Sequence, residues 1–143
     1  MLDEASFPLL GIPGWPGRRG LTITGGAGTS IRSAIHSYLA GETRRSPAAV
    51  VFGQSSERDQ SEAVRRNLLD PADRPDYVES LGARALTVAV DGTAVRAVLE
   101  SWSEPRLRTA RFGWRGYLVA VGSWELPLDS AFFASLGALE RGL

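Results

Sequence analysis

Ala83-Arg84-Ala85-Leu86-Thr87-Val88-Ala89-Val90-Asp91-Gly92-Thr93-Ala94-Val95-Arg96-Ala97-Val98-Leu99-Glu100-Ser101-Trp102 reads as a β-hairpin, and the rest of the chain is organised around it. Asp-Gly suits a two-residue type I′ turn, whose two central residues both need positive φ. Such a turn fixes the register: Val90 faces Thr93, Val88 faces Val95, and Leu86 faces Ala97. One face of the hairpin then carries Leu86, Val88, Val90, Val95 and Leu99. The other carries Thr87, Arg96, Glu100 and Trp102, the polar side. Turn chemistry and alternation point to the same register.

Beyond the hairpin, two more strands are expected, over 107–114 and 116–123. Asp129 then opens a helix with Phe132, Phe133, Leu136 and Leu139 on one stripe and Gly142 as its stop. Before the hairpin, Ala48 to Gln54 reads as a strand. A helix from Ser56, with Asp59 in its first turn, runs to Leu69 and is stopped by Asp70-Pro71. A second helix fits Pro75 to Leu81.

The segment from Ser30 to Ala40 fits two periods. Ile31, Ala34, Ile35, Tyr38 and Leu39 share one face of a helix. Ile31, Ile35 and Leu39 also fit a strand that would pair with Ala48-Ala49-Val50-Val51-Phe52 across the loop between them. The helical match is the fuller one, so a helix is expected and the strand stays open. Residues 1–28 form a Gly/Pro-rich N-terminal arm, in which Phe7, Leu9, Leu10, Ile12 and Trp15 must lie against a surface because the prolines forbid a helix. The chain's own core is the first host, a partner subunit the second. The expected architecture is α+β: the arm, then a single domain over 29–143, with an antiparallel meander of about five strands and helices packed on one face.

The 143 residues suffice for one core without a staple. There is no cysteine, which excludes disulfides, thiolate metal sites and thiol nucleophiles. A lone histidine, His36, excludes sites built on several imidazoles. No metal or cofactor is expected. The acidic start Met1-Leu2-Asp3-Glu4 lacks the basic flank of a secretory signal, and no apolar run is long enough to span a membrane, so a cytoplasmic setting is expected. Charge balances at 16 basic against 16 acidic residues, which disfavours nucleic acid as a partner. Every basic residue is arginine. With one asparagine, Asn67, and four isoleucines, this composition points to a GC-rich bacterial genome rather than to selection for arginine contacts.

Four constellations could carry chemistry. Gly25-Gly26-Ala27-Gly28 follows a strand-like Leu21-Thr22-Ile23-Thr24, as a phosphate cradle would, but the chain has no lysine for a Walker loop and reads better as a flexible joint. Ser33, His36 and Ser37 suggest a nucleophile and base, yet no orienting carboxylate or nucleophile elbow accompanies them; a histidine on the surface or a helix flank is the plainer reading. Asp70, Asp73, Asp76 and Glu79 do not make a calcium loop and read as turn and cap residues.

The fourth constellation interleaves arginines and aromatics from Trp102 to Tyr117, the composition of interface hot spots. Against it stands an ordinary sheet, with Ala110, Phe112 and Trp114 inward and Thr109, Arg111 and Arg115 toward water. The candidate interface residues are Ile12 and Trp15 in the arm, and Trp102, Arg108, Arg111, Trp114, Arg115 and Tyr117 in the meander. The expected role is non-catalytic binding, to another protein or to a second copy. A small-molecule or enzymatic cup between a curved sheet and a helix is the alternative, and a nucleic-acid module ranks third.

Overall fold

The computed structural model describes residues 8–15, 19–24, 33–40, 48–56, 84–102, 106–124 and 126–139. The expected helices over 56–69 and 75–81, the glycine loop at 25–28 and the acidic series 70–79 lie outside them, apart from Ser56. Nine strands are present in the described residues: β1 Leu10–Gly11, β2 Arg19–Thr24, β3 Ser33–Leu39, β4 Ala48–Ser56, β5 Arg84–Val90, β6 Thr93–Trp102, β7 Leu107–Trp114, β8 Tyr117–Ser123 and β9 Gly137–Ala138. Seven form one antiparallel sheet in the order β2-β3-β4-β8-β7-β6-β5, and β1 pairs with β9 in a small ribbon. The sheet is thus two meanders, joined where β8 lies beside β4.

The hairpin forms in the expected register, with Val90 opposite Thr93, Val88 opposite Val95 and Leu86 opposite Ala97. Asp91 and Gly92 have φ of 50° and 76°, the type I′ signature. Arg115 and Gly116 repeat it at 51° and 80°, closing β7 onto β8 with Trp114 opposite Tyr117. Glycine fits the second position of each turn because no Cβ opposes positive φ there.

The expectation of an α+β domain with helices on the sheet is overturned. Among the described residues there is one helix, α1, of five residues (Ser130–Ala134). Its start is as expected: Asp129 is the N-cap, and its Oδ1 accepts from Phe132 N at 2.9 Å. It does not continue to Gly142. Gly137 and Ala138 pair instead with Gly11 and Leu10, and Leu139 N donates to Leu9 O at 2.8 Å. Glycine is a poor helix former, and β1 offers those backbone groups partners that a helix extension would have to replace.

The expected helix within 30–40 is corrected in the same way. Ser33–Leu39 is a strand between β2 and β4, with Tyr38 opposite Val50 and His36 opposite Phe52. The helical stripe is split by the pleat. Ala34, His36 and Tyr38 are buried, whereas Ile35 turns to the other face and is 50% exposed. Strand partners on both edges override a local period.

Cross-strand register puts Ala34, Tyr38, Val50, Phe52, Val119, Val121, Ala110, Phe112, Ala97 and Leu99 on one face, here called inner. That face carries the core, into which α1 inserts Phe132 and Phe133 and the following turn inserts Leu136. The β1–β9 ribbon crosses the same face. Two inner-face side chains hold β1 there. Gln54 Oε1 accepts from Leu10 N at 3.0 Å while its Nε2 donates to Pro8 O. Tyr38 Oη accepts from Ile12 N at 2.8 Å. The apolar arm therefore finds its host in the chain's own core: Leu9 and Leu10 are buried, and Ile12 and Trp15 pack against the cluster.

Candidate functional site

Strand β2 is the end of the large sheet, hydrogen-bonded among the described residues to β3 alone. Its sequence, Arg-Gly-Leu-Thr-Ile-Thr, has β-branched residues at three of its positions, and no proline. No bulge interrupts its pairing with β3, whereas β3 slips against β4 at Tyr38/Leu39. Leu21 and Ile23 sit opposite His36 and Ala34, on the inner face, yet are 45% and 47% exposed. A regular edge with apolar side chains, paired on one side only among the described residues, is a template for another strand. The far edge is better guarded. Leu86 on β5 is 38% exposed, but α1 packs against β5.

The candidate interface residues are dispersed. Trp114, Arg115 and Tyr117 meet at the β7–β8 turn. Trp114 is buried, Tyr117 is half-buried opposite it, and the Arg115 guanidinium lies 4.8 Å from the Trp114 ring centroid. Arg115 Nη2 also donates to Asp91 Oδ2 at 2.7 Å, tying the two hairpin tips together. Arg111, opposite Ala120 on the outer face, is engaged inside the chain: its Nη2 donates to Glu100 Oε1 at 2.5 Å. Trp102, opposite Leu107, and Arg108, opposite Ser123, lie at the other end of the strands. Arg108 there lines a polar cleft with Arg84, Ser101 and Asp129. Ile12 and Trp15 are elsewhere again, beside Tyr38, with the Trp15 and Tyr38 rings 5.3 Å apart.

Ser33, His36 and Ser37 do not form a catalytic group. In a strand, Ser33 and Ser37 point to the outer face and His36 to the inner. Nor is His36 on the surface, as the plainer reading expected. It is buried, with its ring stacked on Phe52 at 5.0 Å and edge-on to Tyr38 at 5.3 Å. Burial, then the charge of Arg19, lowers its pKa from 6.5 to about 4, so it is neutral at physiological pH. Neither ring nitrogen has a partner among the described residues. Glu100, which alternation puts on the polar side of the hairpin, is buried on the outer face.

The β2 edge is hard to see in sequence because Leu21–Thr24 leads directly into a glycine-rich stretch. The signal was the alternation of Leu21 and Ile23 with threonines. No family model matches the chain, and no curated protein or solved structure matches it. Among the described residues no helix is long and apolar enough to cross a membrane.

Proposed function

We propose that the chain is a non-catalytic binding domain that self-associates edge to edge through β2. The carrying observation is the apolar β2 edge, paired among the described residues to β3 alone, with Leu21 and Ile23 each nearly half exposed. A second copy is the natural occupant, because an antiparallel edge is complementary to itself under a two-fold axis. With the axis at Thr22, Leu21 of one copy lies across from Ile23 of the other, and the two sheets merge into one. Zero formal net charge removes the long-range repulsion that would oppose this contact. The same balance disfavours a nucleic-acid partner, and the lack of cysteine suits a reducing cytoplasm. Sedimentation velocity over a concentration series is the test. Wild-type protein shifts toward twice the monomer mass as concentration rises, and Ile23→Asp remains at monomer mass with an unchanged far-UV spectrum. A variant that associates as the wild type does removes β2 from the contact.

A further inference from the structure

Beside the β1 segment, at the Arg19 end of β2, lies a cleft of about 260 Å³. Its walls are Ile12, Trp15, Tyr38 and Leu139, with Arg19 at one side. The polar side chains that line it can all donate. Among the described residues Arg19 makes no ion pair or hydrogen bond. The Trp15 indole N–H is buried and has no acceptor among the described residues. Tyr38 Oη already accepts from Ile12 N, which leaves its own O–H proton to be given. Among the described residues no carboxylate, amide or imidazole side chain lines the space.

A buried donor without an acceptor, such as the Trp15 N–H, is rare in folded proteins and calls for a missing partner. The complement of this cleft is rich in acceptors. A single guanidinium fork matches one planar pair of oxygens and one negative charge. The Ile12, Pro13, Leu139 and Trp15 surfaces suit an apolar body. We propose that the cleft binds a small monoanion with an apolar body, an aromatic or short-chain carboxylate, with Arg19 holding the carboxylate and Trp15 and Tyr38 donating to it. The site takes only Arg19 from β2 and otherwise rests on the β1 segment and Tyr38, so it is distinct from the Leu21 and Ile23 side chains that carry the self-association.

The probe is sodium benzoate, with benzamide as its uncharged isostere. The readout is the Trp15 indole N–H resonance of ¹⁵N-labelled protein, assigned by its loss in Trp15→Phe. Benzoate should shift that resonance saturably below about 20 mM, and benzamide should bind at least about tenfold more weakly. Arg19→Ala, at an exposed position, should weaken benzoate by at least about tenfold while the other indole resonances stay in place. Equal binding of benzamide, unchanged affinity in Arg19→Ala, or no saturable shift would overturn the assignment. Inorganic phosphate shifting the resonance where benzoate does not would overturn the carboxylate class.

Discussion

Arg111 and Glu100 form an ion pair on the outer face of the sheet, one strand apart, with Nη2 2.5 Å from Oε1 and the Glu100 side chain fully buried. Glu100 Oε2 and the neighbouring Thr109 Oγ1 have no partner among the described residues. A carboxylate removed from water depends heavily on its one guanidinium. Replacing Arg111 by leucine strands that charge and should destabilise by about 3–5 kcal/mol. The double variant Arg111→Leu with Glu100→Leu removes the charge as well and should recover much of the loss. Urea unfolding of the two single variants and the double checks this; additive losses would contradict it.

His36 makes stability depend on pH with a definite sign. Its folded pKa of about 4 lies below the unfolded value of 6.5. Between those values the unfolded chain binds the proton more readily, so stability rises with pH there. The contribution is full above pH 6.5 and is lost as pH falls toward 4, roughly 3 kcal/mol over the window. Wild-type melting temperature should fall between pH 6.5 and 4.5 more steeply than that of His36→Phe. Parallel curves for the two proteins would rule out this role.

Gly11 permits the β1 segment to dock. A Cβ there would collide with the Tyr38 hydroxyl and come 3.1 Å from His36 Nε2. Gly11→Ala should therefore displace Tyr38 Oη from Ile12 N and destabilise by about 1–3 kcal/mol. Gly53→Ala, where a Cβ meets nothing within 4 Å, is the control and should change stability far less. Equal effects in thermal unfolding would show that the β1 contact is dispensable.

Legibility in the sequence divides along physical lines. The hairpin at Asp91-Gly92 was legible because turn chemistry and alternation are both local, and its register was right at every expected pair. The Asp129 cap was legible for the same reason. Two expected helices failed where pairing with other strands decided the outcome. Ser33–Leu39 lies between β2 and β4, and Gly137–Ala138 is claimed by β1, which is over a hundred residues away in the chain. The site was less legible still. Glu100 and His36 are polar residues at buried positions, the reverse of what alternation implies, and only tertiary packing reveals them. Ile12 and Trp15 were marked by composition, but their place beside Tyr38 and Arg19 follows from the docking of β1.

Pairing of β2 with a second copy is tested most directly by amide hydrogen exchange along residues 19–24. In an edge strand alternate amides point to β3 and the others point outward. Exchange is followed residue by residue by NMR at a low and a high protein concentration. The inward amides should be protected at both. The outward amides should exchange freely at low concentration and become protected at high concentration, and Ile23→Asp should abolish that gain. Outward amides that exchange freely at every concentration would contradict self-association through β2.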